Sequence, residues 1–384
     1  MKVTFVTRWG VQCGIATYTD QLVLALTKQG LTCSVAAENM VGIKQINVQS
    51  DTVPFSRCWD GKKNVFNDAA YQIVKGHPKP DIVHIQHEFG FMDSRNPLLD
   101  FFGTLSAHGI PVVVTPHTVM EPKNEKAWFF TDILSKSVAI VAHTEATKEA
   151  LLKWAPLKDI GIYVISHGTP EDCEVKDVAA SRRHLYLPED PNLVVAISLG
   201  FITPGKMQHE AVEAIIELVK DGLIDPNRFL YIIAGEPGQG NQGNIEYCLK
   251  IHRMIDQARA WNYIRINPGF VSREELPFWY GAADFVITGS HQTFFSTSGR
   301  SHQEMAFGMP SVSSNARLLS DLNEMRSLKY ESHCQLRARL LQMINDPNIR
   351  SSLSSRCVDF AKDTSWTNVA KKHMQMYDAI KLAR

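Results

Sequence analysis

Near-continuous apolar runs recur along the chain, and each ends in a small polar cluster. Residues 81–86 (DIVHIQ) and 110–115 (IPVVVT) are the clearest, and 137–142 and 162–165 repeat the arrangement. Runs without alternation are what a parallel strand requires, because helices cover both faces of such a sheet. Earlier strands are expected at 2–7 and 31–37. Between them Ile15, Tyr18, Leu22, Leu24 and Leu26 recur at helical spacing, which predicts a helix over 15–29. Residues 40–62 show no period and read as irregular surface chain.

The rhythm fails over 170–191, which carries prolines at both ends, and restarts afterwards. Strands are expected at 193–199, 229–234, 264–267 and 285–287. Helices are expected at 208–223 and 245–260, and at 272–282 with Ser272 as N-cap and Glu275 completing a capping box. The tail reads as three helices, at 333–345, 349–362 and 366–382. Two successive βα-repeating halves predict an α/β protein of two doubly wound, Rossmann-like domains facing across a cleft. The expected bounds are 1–170 and 192–366, with 171–191 as linker. A chain of 384 residues is long enough for two such cores.

Composition narrows the function classes. The chain is 44% hydrophobic and 21% charged with zero formal net charge, which argues against a dominating nucleic-acid footprint. No apolar run approaches the roughly 20 residues that cross a bilayer. The seven cysteines are scattered without a C-x-x-C pair, as suits reduced thiols in a cytoplasmic protein and argues against zinc.

The candidate chemistry centres on residues 290–316. Ser298 and Gly299 stand where a helix should begin, and Gly308 and Pro310 where it should end. Small residues at a helix start leave unpaired N–H groups that suit a phosphate. Glu304, inside that helix, is placed to accept hydrogen bonds from a sugar hydroxyl; the plainer alternative is a solvated surface acid. Gly10 and Gly14, between the first strand and helix, fit either a phosphate loop or an ordinary turn. Four consecutive strands deliver a histidine to one edge: His87, His117, His143 and His167. Of these His143, like His84 within its strand, reads as a structural hydrogen-bonder. The set lacks the spacing and acidic partners of a zinc site, so no metal is expected.

Several ordered segments carry a resemblance. Cys13-Gly14-Ile15-Ala16-Thr17-Tyr18-Thr19, Val83 to Gly90 (VHIQHEFG), Thr115-Pro116-His117-Thr118-Val119, Val164 to Gly168 (VISHG), and Gly200 with Lys206 resemble the retaining GT-B glycosyltransferases of family 4. The likeness is to the mannosyltransferase-like members that open with C-G-I-A-T-F/Y-T. Ser365-Trp366 and Tyr377 are similar to the family's last helix (367–384), which crosses back to the N-terminal domain. The resemblance implies a nucleotide-sugar-dependent glycosyltransferase using a UDP- or GDP-sugar, with no further cofactor. It puts Gly14 at the diphosphate, Gly200 on the donor side, His117 at the donor sugar and acceptor, Lys206 opposite the leaving phosphates and Glu304 on the ribose. Phe270 and Val271 follow the nucleobase, Ser298, Gly299 and Arg300 belong to the donor side, and His87 and Glu88 to the acceptor side.

Two positions depart from the family pattern. Its Glu-seven-residues-Glu signature has Ser296 in the first place, leaving Thr297, Ser298 and Gln292 as uncharged partners for the sugar. Phe201 stands where an arginine is common, leaving Arg300 or Arg8 to supply the charge. No D-x-D pair occurs, so the resemblance implies a metal-independent reaction. The implied acceptor is a glycan or lipid-linked sugar; a hydroxymethylated base in viral DNA is an alternative. A non-catalytic sugar-nucleotide-binding protein on the same scaffold is another, and an epimerase lacks the paired acids it would need. Lysines beside tryptophan at 123–136 and 148–158 read either as solvated faces or as a peripheral membrane contact.

Overall fold

The computed structural model describes residues 1–383 apart from 41–44, 62, 64, 122–125, 155–156, 158–159 and 239–241. Both lysine-bearing faces lie partly outside the described residues. Two compact units form, each an α/β domain around one parallel sheet.

The first unit comprises Met1–Gly168, Phe294–Gly299 and Thr364–Arg384. Its strands are β1 (Lys2–Thr7), β2 (Thr32–Glu38), β3 (Phe55–Trp59), β4 (Ile82–His87), β5 (Val112–Pro116), β6 (Ala139–Ala142) and β7 (Gly161–Val164). They lie in the order β3-β2-β1-β4-β5-β6-β7, every pair parallel. Helices α1 (Gly14–Lys28), α2 (Asn67–Lys75), α3 (Arg95–Ala107) and α4 (Glu145–Trp154) provide crossovers. The central strands are buried at every position, as their unbroken apolar runs require.

In the second unit, Thr169–Thr293 and Arg300–Asp363, the strands are β8 (Val194–Leu199), β9 (Phe229–Gly235), β10 (Ile264–Pro268), β11 (Phe285–Thr288), β12 (Ser311–Ser314) and β13 (Ser327–Tyr330). Their order is β10-β9-β8-β11-β12-β13, again all parallel. Its helices are α5 (Val178–His184), α6 (Gln208–Lys220), α7 (Gln242–Gln257), α8 (Leu276–Ala282), α9 (Gly299–Ala306), α10 (His333–Asn345) and α11 (Pro347–Asp363). The last helix, α12 (Trp366–Leu382), returns to the first unit. Its Trp366, Val369 and Tyr377 share a core with Tyr18, Leu22 and Leu26 of α1, and the Ser365 hydroxyl caps it through the Asn368 N–H.

Several expectations change. The stretch read as irregular contains β3, an edge strand whose first two residues are exposed, so no buried face marks it in the sequence. The stretch read as a linker carries α5, packed on α8 and part of the second unit. Arg182 explains that docking: it is 4% exposed, donates to the Asp190 and Leu193 carbonyls at 2.6 and 2.9 Å, and pairs with Asp284 at 3.5 Å. No capping box forms at Ser272, because α8 starts four residues later, where Pro277 sits in the first turn. The four-residue β13 was not expected; its Lys329 and flanking serines break the apolar signal.

Backbone contact at the ends of β8 and β9 fixes the turn at Gly200. The Gly200 N–H donates to Ala234 at 3.0 Å, and a Cβ on Gly235 would stand 1.8 Å from the Gly200 carbonyl oxygen. Gly235→Ala should therefore destabilise the fold by about 2–4 kcal/mol in urea unfolding. Gly222→Ala, at φ +70 with nothing within 4 Å of the new methyl, should cost only about 1–2 kcal/mol. Equal losses in the two variants would refute the close-approach explanation.

Candidate active site

In the first unit, the carboxyl ends of β4 to β7 carry the four histidines to one edge. His87 ends β4 and is 1% exposed, with Nε2 3.0 Å from the Met92 carbonyl oxygen. His117 follows β5; its backbone N–H donates to the His87 carbonyl at 2.9 Å and its Nε2 lies 2.9 Å from Gln86 Oε1. His143 follows β6 with Nδ1 3.0 Å from the Ile165 carbonyl oxygen, a structural bond as expected. His84 is structural too, held between Tyr377 and Thr115.

Tyr18 of α1 organises this edge. Its ring lies 4.9 Å from His117, 5.3 Å from His143, 5.0 Å from His167 and 5.3 Å from Trp366, centroid to centroid. Burial, reinforced by the mutual repulsion of neighbouring imidazoles, holds His117 well below the usual histidine range, and burial drops His87 to about 3. His87 and His117 are therefore neutral at pH 7. The Tyr18 hydroxyl, Gln86 Nε2, His87 Nδ1 and Thr297 Oγ1 are buried without a partner among the described residues. Orphaned polar atoms are rare in folded proteins, and their concentration here marks a site rather than a core.

The other first-unit candidates border the same edge. Cys13 precedes α1 with extended backbone and no side-chain cap, so the N–H groups at exposed Gly14 stay open. Glu88 accepts from the Thr118 hydroxyl at 2.7 Å. Phe295 pairs with Val119 in a two-bond bridge of 2.7 and 2.8 Å, which puts Ser296 beside the segment bearing His117. Gly299 lies against His167, where a Cβ would stand 3.2 Å from Nε2. Arg8 is not available to a ligand: it is paired with Glu38 and stacked 4.2 Å over Phe91.

In the second unit the charged candidates converge at the carboxyl ends of β8 and β11. Arg300, in the first turn of α9, lies against the turn at Gly200 (φ +106), 3.5 Å from where a Cβ would be, and donates to Gln303 at 2.7 Å. Lys206 is half-buried in the turn after β8 and forms no ion pair among the described residues. Burial, eased by Glu304 and aggravated by Arg300, lowers its pKa. Glu304 is 3% exposed and accepts from the Thr288 hydroxyl at 3.2 Å. Burial raises its carboxyl to about 7, against the opposing pull of Arg300, Thr288 and Lys206. The cluster thus carries two cations and one partly protonated acid, a net positive charge directed at the edge. Gln303, half-buried, is the more open side chain beside Glu304.

Phe270 is 64% exposed after β10, while Val271 packs on the core beneath. A cavity of about 670 Å³ opens at the same edge of this unit, bordered by Met207, Ser290, Gln292, Asn315 and Arg317. Tyr18, Gln86, Thr288 and Gln303 were missed in the sequence: each sits inside a regular element, where nothing but packing distinguishes it.

Comparison with known proteins fits this arrangement. Residues 13–172 match the family model Glycosyltransferase Family 4. The chain is 22% identical over 320 residues to a D-inositol 3-phosphate glycosyltransferase of Kineococcus radiotolerans, covering 77% of this chain and 72% of the relative. It is 21% identical over 284 residues to the protein of the same description from Thermobispora bispora, covering 70% and 65%. The chain is a glycosyltransferase of the GT-B fold. Its fold is similar to that of a Rickettsia africae glycosyltransferase at TM-score 0.78 and 16% identity, covering 99% and 98% of the two chains. It is also similar to Anabaena HepE in complex with UDP, at TM-score 0.75 and 15% identity, covering 99% and 100%. Among the described residues no helix is long and apolar enough to cross a membrane.

The charge on Glu304 has a measurable consequence for stability. Its folded pKa lies above its ordinary value of 4.5, so ionisation opposes folding, and the penalty grows as pH rises from about 4.5 to about 7. Glu304→Gln should therefore be more stable than the native enzyme by about 1–3 kcal/mol at pH 8 and no more stable at pH 4.5. Equal stability of the two at pH 8 in urea unfolding would contradict the raised pKa.

Proposed function

We propose that this glycosyltransferase is retaining and metal-independent, and that it moves a sugar from a nucleotide-diphosphate donor to a hydroxyl of a polyol, glycan or lipid-linked sugar. The observation that carries this reading is the Lys206–Arg300–Glu304 cluster, whose excess positive charge is already in place before any ligand arrives. A departing diphosphate gains charge as the bond from sugar to phosphate breaks, and fixed cations in a desolvated setting stabilise that change most. Two such cations, with no D-x-D pair in the sequence to hold a metal, support metal independence. UDP bound to the Anabaena neighbour makes uridine the first base to test, and the cyclitol-phosphate relatives favour a polyhydroxylated acceptor over a DNA base.

The chemistry proposed is front-face displacement. The bond between the anomeric carbon and the phosphate oxygen breaks while the acceptor oxygen bonds to that carbon from the same side. The acceptor proton passes to the leaving phosphate oxygen, so no protein base is consumed. His117, neutral and half-buried, would orient sugar hydroxyls, while the open N–H groups at Gly14 would receive phosphate oxygens. Uncharged Thr297, Ser298 and Gln292 would take the place of the family's first glutamate, and Phe270 and Val271 would lie along the base. His87 and Glu88 border the acceptor side.

A panel of UDP- and GDP-sugars tested for thermal stabilisation and turnover decides the donor. The expected result is stabilisation by one donor and transfer unaffected by EDTA, with the donor's anomeric configuration preserved in the product by NMR. Loss of activity in EDTA would overturn metal independence, and an inverted product would overturn retention. Lys206→Ala should lower kcat by about 10²–10³ with an unchanged melting profile; native turnover in that variant would remove Lys206 from the mechanism.

A further inference from the structure

His117 is held from two directions by β4, and the second hold selects a tautomer. Its backbone N–H donates to the His87 carbonyl, which fixes the start of the loop. Its ring is then met at Nε2 by the Gln86 amide oxygen at 2.9 Å. Gln86 is the penultimate residue of β4, opposite Thr115 of β5 in the parallel register, and is 0% exposed. An amide oxygen can only accept, so the imidazole must donate through Nε2–H. On a neutral ring this leaves the lone pair on Nδ1, which has no protein partner among the described residues.

We propose that Gln86 is the positioning residue of His117: it locks the neutral Nε2–H tautomer and so presents Nδ1 as a hydrogen-bond acceptor to a sugar hydroxyl. The presentation to a sugar rests on the proposed function; the tautomer does not. The choice of side chain supports the assignment. A carboxylate at this position would favour the imidazolium, which donates from both nitrogens and accepts at neither. An aliphatic residue would leave both tautomers open. An amide keeps the ring neutral and, with its oxygen toward Nε2 as here, orients it. The other groups around His117 agree, since Tyr18 meets it edge-on and the titratable neighbours from β4, β6 and β7 (His84, His87, His143 and His167) all disfavour a positive charge there.

The test has a spectroscopic arm and a kinetic arm. In ¹⁵N-histidine NMR of the full chain at neutral pH, with His117→Gln used for assignment, His117 should show a protonated Nε2 and an unprotonated Nδ1. A protonated Nδ1 would mean that the Gln86 amide is turned the other way and would overturn the proposal. Gln86→Leu should give mixed tautomers and lower kcat by about 10- to 100-fold, as for other outer-shell partners of a functional histidine, with the donor KM little changed. Gln86→Glu should move the acid limb of the kcat–pH profile to higher pH, because His117 gains a carboxylate partner. Variants that lose thermal stability while keeping the native tautomer and pH profile would reduce Gln86 to a structural role and overturn the proposal. Failure of every nucleotide sugar as donor would strike the proposed function and leave the NMR result to decide the tautomer.

Discussion

Parallel pairing is the constraint on which the site depends. Within each sheet every strand runs the same way, so its strands' carboxyl ends, and the loops that follow them, emerge on one edge of that sheet. Each crossover helix then begins close to that edge and directs its N-terminal N–H groups there. An antiparallel sheet of the same sequence would scatter His87, His117, His143 and His167 over two edges. Parallel order costs backbone economy, since each crossover needs a helix, but it gathers polar groups from residues far apart in sequence without any of them being neighbours.

The two edges meet different electrostatic demands. The first-unit edge is crowded with imidazoles packed around Tyr18, and burial keeps His87 and His117 neutral. Neutral rings and orphaned hydroxyl and amide groups suit hydroxylated ligands, which both donate and accept. The second-unit edge carries real charge. Lys206 and Arg300 are held without a full complement of acid, and Glu304 is kept from ionising fully by its own burial. Removing that acid should relieve the fold, which is the signature of a group retained for something other than stability.

What the sequence made legible follows from what each signal measures. Unbroken apolar runs gave β4, β5, β8 and β9 nearly to the residue, because a doubly covered strand has no polar face to confuse the pattern. β3 and β13 were hidden for the opposite reason: they are short, edge-proximal and partly polar. The helix α5 was hidden by its flanking prolines, and the docking of buried Arg182 on Asp284 and on the Asp190 and Leu193 carbonyls shows that the segment belongs to a domain. At the site, residues in loops after strands were legible by type and place. Gln86, Tyr18 and Thr288 were not, since a polar residue inside an element looks like any other until its partner is known.

That asymmetry bears on how the site works. The candidate residues His117 and Lys206 stand in the turns after strands, where composition can change without harm to the core. The polar partners of His117 and Glu304 stand one step back, inside β4 and β11, where packing fixes their rotamers. Thr288 on β11 holds Glu304, and Gln86 on β4 holds His117. Both partners are uncharged, and neither can itself titrate near neutrality, so the state of the group in front is set by burial and by the charges around it. A strand-borne neutral partner behind a loop- or helix-borne titratable group is thus the common device of the two edges. It lets each sheet orient a titratable residue that the sheet itself does not contain.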